Sequence, residues 1–252
     1  MVTSQILRKL RHYLGVSLGR PVKLAEETCN FIKPGSLASW YLSVLNYQSR
    51  LGARYGYGPF GNHYEFGVGP WTTGSYIRAL LSFCRTKGYD PYRFRVFGFD
   101  SFQGLPKSQS QKDKNPDWNE GKFRKSPKQM YSIIKRAGLD PTGGSVRFFQ
   151  GFFKDTLTVR LRHQLKQYPP SIVTVDVDYY TSTKTILNWI RPLLRSGVVF
   201  YFDDIWSFHG NPHYGELAAI AEFNKSHQDG LISFPILGQI SYAYIYWKKR
   251  SE

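Results

Sequence analysis

The sequence predicts an α/β fold: a doubly wound, mostly parallel seven-stranded sheet with one antiparallel strand at its end, preceded by accessory helices. Three observations predict it. Short apolar runs alternate five times with segments of helical period, the pattern of βα units that build a parallel sheet. Several of these runs end in a glycine turn or an aspartate, at the edge where open α/β sheets bind ligands. The last two apolar runs, 231–237 and 241–248, are joined by little more than Gly238 and Gln239. That join is too short for a parallel crossover and implies an antiparallel hairpin.

In chain order, Ile6, Leu7, Leu10, Tyr13 and Leu14 recur at helical spacing with Arg8, Lys9 and Arg11 between them. This basic amphipathic helix is expected to pack on its own domain or on a second subunit, which would make the protein a homo-oligomer. Lying on a membrane surface is the other reading. Ser36 opens a second helix with Leu37, Trp40, Tyr41, Val44, Leu45 and Leu51 on one side, and Gly52 is expected to end it. Residues 1–60 are thus read as accessory helices and 61–252 as the main domain.

The first strand is expected at 63–68 (HYEFGV), followed by the turn GPWTTGS and a helix carrying Ile77, Leu80, Leu81 and Cys84 up to Gly88. A second strand, 93–99, finishes at Asp100. Residues 107–125 are polar, aperiodic and rich in turn formers, and a stretch of that length in a compact domain reads as a loop or lid. Ser126, Pro127 and Gln129 then supply an N-cap, a first-turn proline and a capping-box partner for a helix running to Ala137.

Residues 146–150 form the third strand and Gly151 its turn. One helix marked by Leu157, Leu161 and Leu165 follows, stopped by Pro169 and Pro170. The run 171–175 ends in Asp176 and Asp178, an amphipathic helix begins near Ser182, and the run 197–202 ends in Asp203 and Asp204. After the loop HGNPHYGE, Leu217, Ala218, Ile220, Ala221 and Phe223 line the last helix before the hairpin.

The formal charge is +16, from 34 Lys+Arg against 18 Asp+Glu. A field of that sign attracts nucleic acid, anionic lipid or acidic substrates and says nothing about fold. No RGG tract or long basic block singles out nucleic acid. Cys29 and Cys84 have neither metal-ligand spacing nor disulfide density, and Cys84 is expected to pack as a small hydrophobe. No apolar run reaches the length of a spanning helix, so a soluble, cytoplasmic protein is expected, with peripheral membrane association as the variant the basic helix suggests.

The two acidic strand ends carry the first chemical inference. Neighbouring parallel strands bring Asp176, Asp178, Asp203 and Asp204 to one crevice, where carboxylates repel one another unless a cation stands between them. A hard divalent ion with oxygen ligands meets that need. The first turn carries the second inference. A dinucleotide site wants G-x-G-x-x-G, so that a pyrophosphate can rest on the helix N-terminus. Here four residues separate Gly69 from Gly74, and Glu65 sits at the strand end, where it would repel a pyrophosphate. A cationic amino-acid ligand such as S-adenosylmethionine suits Glu65, and Asp100 can accept hydrogen bonds from ribose hydroxyls. Gly69 and Ser75 in the turn are further candidate contacts.

Seven segments in order, EFGV with its Gly-Ser helix start, FDSFQGLP, WNEGKF, GFFKDTL, DVDYYTSTK, FDD and GE, resemble the macrocin O-methyltransferase (TylF-like) family over roughly residues 60–225. The resemblance implies a class I methyltransferase fold, S-adenosylmethionine as cofactor and, by analogy with antibiotic-sugar members, Mg²⁺ and a sugar hydroxyl as acceptor. By position it implies Asp176, Asp203 and Asp204 as metal ligands and Asp178 as general base. It implies Glu65, Gly67, Asp100 and Ser101 as cofactor contacts, with Gly151 and Phe152 near the adenine. Pro70-Trp71-Thr72-Thr73 stands where many members have a shorter, glycine-rich turn.

The expected function is therefore O-methylation of a hydroxyl on a sugar, polyol-containing small molecule or glycan. Methylation of RNA or another polyanion is the alternative the charge suggests, and an NAD-dependent oxidoreductase or a non-catalytic binding module are the alternatives from other classes. His209 and His213 are candidate acceptor-side bases, and Tyr179, Tyr180 and Trp206 candidate pocket walls.

Overall fold

The computed structural model describes residues 32–55, 60–233 and 243–248. The basic helix expected at 6–14, Cys29 and the Gly238-Gln239 turn lie outside the described residues. Seven strands form one sheet: β1 (His63–Phe66), β2 (Val96–Asp100), β3 (Val146–Gln150), β4 (Ile172–Val175), β5 (Val199–Phe202), β6 (Gly230–Ser233) and β7 (Ala243–Trp247). Their order is β3-β2-β1-β4-β5-β7-β6. The first five are mutually parallel; β7 runs antiparallel to β5 and to β6. The antiparallel strand comes last in the chain but lies inside the sheet, with β6 at the edge.

Helices cover both faces: α1 (Leu37–Tyr55), α2 (Pro70–Lys87) and α3 (Pro127–Arg136) on one, α4 (Phe153–Thr156), α5 (Val159–Leu165), α6 (Tyr180–Ile190) and α7 (Gly215–Ser226) on the other. The two-residue period of the strands divides the core accordingly. Tyr64, Phe66, Val173, Val175, Phe200 and Phe202 pack toward α6 and α7. Ile172, Val199 and Tyr201 pack toward α1 and α2. Cys84 is buried there, as its helical position predicts, and burial pushes its thiol up to about 11.

Several boundaries differ from the sequence reading. The first strand stops at Phe66, because Gly67 turns the chain with φ 78°. Gly52 does not end α1, which continues to Tyr55. The single helix expected through Leu157, Leu161 and Leu165 is two short ones: Leu157 is the non-helical C-cap of α4, and Thr158 caps α5, which carries Leu161 and Leu165, with its hydroxyl on the Leu161 N–H. The capping box at Ser126 and Gln129 forms as the sequence predicts.

The register places the site. Phe66 pairs with Phe99 and with Val175, and Val175 with Phe202, so those strands end level. The next residue on each, Gly67, Asp100, Asp176 and Asp203, stands on one edge of the sheet.

Candidate active site

That edge opens into a cavity of about 330 Å³, within the range of small-molecule sites. Its floor is Gly67–Gly69, Asp100, Ser101, Gly151–Lys154 and Asp176–Asp178; residues of the 104–125 segment form its roof, and Thr181, Ser182 and Thr185 of α6 one wall. The expected contacts Gly67, Gly69, Asp100, Ser101, Gly151 and Phe152 are thereby brought together, with Asp176 and Asp178 beside them. Glu65 and Ser75 are not among the lining residues, and neither are His209, His213, Tyr179, Tyr180 and Trp206.

Gly67 is glycine for a steric reason: a Cβ there would stand 1.7 Å from the Asp176 carbonyl oxygen, so β1 and β4 could not approach as they do. Asp100 is held in place by backbone. Its Oδ2 accepts from Val68 N–H (2.8 Å) and its Oδ1 from Phe102 N–H (2.6 Å). Burial raises its carboxyl, and those two donors and Lys125 pull it back.

Glu65 points to the opposite face of β1 and is fully buried. Thr72 Oγ1 donates to its Oε1, Thr73 Oγ1 lies 2.7 Å from Oε2, and Gly69 N–H reaches Oε1 at 3.3 Å. Burial outweighs these donors and pushes the carboxyl up to about 7. The Pro-Trp-Thr-Thr sequence thus has a physical role. It forms the first turn of α2, after N-cap Gly69, and turns two hydroxyls onto a carboxylate whose other donor is the long Gly69 N–H contact. Ser75, further along α2, receives a long hydrogen bond from Arg78 (3.4 Å).

The second group is acidic. Ligand oxygens of Asp176, Asp203 and Asp204 lie within 4.8 Å of one another. Burial raises Asp176 well above the ordinary carboxylate range, and Asp203 and Asp204 add to it. Asp178 has left-handed backbone, φ 61°, in a tight turn where Tyr179 N–H bonds back to the Val177 carbonyl. Burial, then Asp204 and Asp203, push its carboxyl up to about 8, against the pull of Lys125 and Lys122. Asp204 is raised to about 6 by burial and Asp203, although Ser207 Oγ donates to it at 3.0 Å. Tyr201 Oη donates to Asp203 Oδ1 at 2.5 Å.

Two further residues join the site: Glu216, half of the GE pair to which the sequence reading gave no role, and Asp113, which has no local sequence signal. Glu216 at the start of α7 is fully buried; its Oε2 accepts from Asp204 N–H (2.9 Å), and its Oε1 meets no donor among the described residues. Asp113, in the roof segment, accepts from Thr181 N–H and from Thr181 Oγ1, both at 2.9 Å, and so caps α6. A regular end-of-strand pattern reveals Asp176 or Asp203; nothing near Asp113 in the chain points to Thr181.

A parallel sheet in this order, with an antiparallel strand set between β5 and β6 and its crevice at the carboxyl ends of β1, β2 and β4, is the Rossmann-like fold of class I methyltransferases. The sequence profile of the macrocin-O-methyltransferase (TylF) family matches residues 60–249, and the chain belongs to that family. It is an S-adenosylmethionine-dependent O-methyltransferase. Solved structures agree on the fold. The calicheamicin methyltransferase CalS11 is 22% identical, with a TM-score of 0.64 over 98% of this chain and 93% of that one. The O-methyltransferase NovP is 21% identical, with a TM-score of 0.55 over 84% and 77%. The apo form of CalS11, described as a TDP-rhamnose 3′-O-methyltransferase, is 20% identical with a TM-score of 0.54 over 98% and 94%. No curated protein sequence matches the chain. Among the described residues, no helix is long and apolar enough to cross a membrane.

Proposed function

We propose that the protein methylates a hydroxyl of a sugar or other polyol, using a divalent cation such as Mg²⁺ held by Asp176, Asp203 and Asp204, with Asp178 as general base. The observation that carries this reading is the convergence of those three carboxylates within 4.8 Å, beside a buried fourth. The residues fit a hard cation: the donors are all carboxylate oxygens, burial with Asp203 and Asp204 holds the Asp176 carboxyl well above its ordinary range, and Glu216 brings a further buried carboxyl with one oxygen unpaired among the described residues. A sugar hydroxyl is the acceptor to try first, since CalS11 is a TDP-rhamnose 3′-O-methyltransferase.

Bound at the aspartates, the cation would lower the pKa of an acceptor hydroxyl and fix its direction. S-adenosylmethionine would supply the methyl group, with its ribose hydroxyls on Asp100 and its amino-acid end along Gly67–Gly69. Asp178 takes the hydroxyl proton onto its carboxylate as the oxygen attacks. The roof over the cavity excludes water and keeps acceptor and donor aligned. Glu65 acts from beneath, setting the Gly69 turn through Thr72 and Thr73.

Release of S-adenosylhomocysteine from purified protein, measured with a panel of glycosides, tests the reading. EDTA and Asp203→Asn are each expected to lower turnover at least about 100-fold, the order of loss for removing electrostatic stabilisation of a transition state, while S-adenosylhomocysteine still binds. Unchanged turnover under both treatments would overturn it.

Lys107, Lys122, Lys125 and Lys154 also line the cavity, and none forms an ion pair among the described residues. They favour an acceptor that carries a phosphate or carboxylate as well as its hydroxyl. For such an acceptor KM rises steeply with added salt, whereas for a neutral glycoside it stays flat.

A further inference from the structure

Glu216 is out of keeping with its surroundings. It is a carboxyl at 0% exposure, beside three others, with a single hydrogen bond among the described residues, to a neutral group. Burying a carboxyl with one oxygen unpaired is costly, and replacement by an apolar side chain of similar size would remove the cost. The local backbone is arranged to put it there. Gly215 has φ 56°, and a Cβ on it would stand 2.7 Å from the Phe208 ring, so the chain passes beneath that ring only as glycine. The helix that follows is anchored by Ala218, Ala219, Ile220 and Phe223 against the core. Glu216 is therefore a fixed point, and what it holds is the Asp204 N–H.

That N–H belongs to the peptide joining Asp203 to Asp204, the segment carrying two of the three proposed ligands. Beyond it, Asp203 is steered by Tyr201 Oη and Asp204 by Ser207 Oγ. These contacts orient the side chains; Asp203 N–H donates to the Val175 carbonyl and Ser207 N–H to the Asp204 carbonyl, and Glu216 supplies the side-chain acceptor for the peptide between them. Partners outside the ligand set commonly decide ligand geometry in this way.

We propose that Glu216 is a positioning residue for the cation site, anchoring the Asp203–Asp204 peptide so that both carboxylates face Asp176. The role rests on the cation reading above. It depends on an acceptor oxygen at that point and not on the charge of the carboxylate, which distinguishes it from a simple contribution to the negative field.

The test is Mn²⁺ binding followed by electron paramagnetic resonance on wild type, Glu216→Gln and Glu216→Met, with thermal melting and S-adenosylhomocysteine affinity as checks on the fold. Glu216→Gln keeps an acceptor oxygen and should retain wild-type Mn²⁺ affinity and lineshape. Glu216→Met keeps the shape without the acceptor and should weaken Mn²⁺ at least about 10-fold, the lower end of losses from removing such partners, with S-adenosylhomocysteine binding unchanged. Wild-type affinity in a folded Glu216→Met variant overturns the role. Loss of Mn²⁺ in a folded Glu216→Gln variant does so too, since it assigns the effect to charge, and this variant decides the matter if Glu216→Met does not fold. Wild-type protein that binds no Mn²⁺ overturns the cation reading itself and the role with it, a result distinct from the other two.

Discussion

Asp178 combines two features that are costly apart and useful together. Its φ of 61° lies in the left-handed region that few residues other than glycine, asparagine and aspartate tolerate, and its carboxyl, pushed up to about 8, holds a proton near neutrality without a cation. Asparagine tolerates the same backbone, so Asp178→Asn isolates the carboxylate from the turn. A loss of turnover of about 10²–10⁴-fold is expected for a general base, with a melting temperature equal to or above that of wild type. A base works only when ionised, so wild-type turnover should rise with pH through an apparent pKa below 8 once a cation is bound, and the residual rate of the variant should not. A wild-type profile flat from pH 5 to 9 would count against the role. At this scale the carboxylates at the ends of apolar runs were legible in the sequence. Glu216 was marked only as half of the GE pair, and its role was not legible, because it acts on a backbone N–H 12 residues away; Thr72 and Thr73 read as plain turn residues because the carboxylate they satisfy precedes them on another element.

The segment between β2 and α3 shows how an aperiodic element can still be fixed in place. Its polarity and turn formers mark it as a lid, and they say nothing of where it docks. Asp113 caps α6 through Thr181, Lys112 pairs with Glu222 of α7, Asn115 Nδ2 donates to the Ser207 carbonyl, and Trp118 packs edge-on against Phe208. The partners lie 68 to 110 positions along the chain, beyond the reach of any local pattern. The cap sits on the first turn of the helix that follows Asp178, so lid and base share one anchor. Asp113→Ala should therefore cost about 1 kcal/mol of stability, typical for a lost N-cap, and also raise KM for the acceptor and speed proteolysis within 107–125. Unchanged proteolysis with the stability loss alone would confine Asp113 to capping. The helix expected from Leu157 to Leu165 failed for a comparable reason: apolar spacing predicts helix, but a threonine that can bond backbone N–H competes with it.

Across the whole molecule, acidic groups on the ligand-binding edge oppose a chain whose formal charge is +16. The doubly wound, mostly parallel sheet with an antiparallel last strand was legible because βα alternation and a short final hairpin leave few topologies open; the insertion of that strand between β5 and β6 was not, and sheet register brings the aspartates level. The consequence is a stability that depends on pH in a particular direction. Glu65, Asp178 and Asp204 are raised to about 7, 8 and 6, whereas in an unfolded chain such groups ionise near pH ~4. Between those limits the native state holds more protons than the unfolded one, so these groups lower stability progressively as pH climbs from about 4 to about 8. A divalent cation at the aspartates substitutes for the missing protons and competes with them when they are present. The increase in melting temperature produced by saturating Mg²⁺ should accordingly be larger at pH 8.5 than at pH 5.5, and Asp176→Asn should abolish the difference. Histidine protonation and the basic surface shift the baseline at both pH values with and without Mg²⁺, so the difference between the two increments reports on the acidic edge. An equal increment at both pH values would mean that the cation binds somewhere other than at these carboxylates.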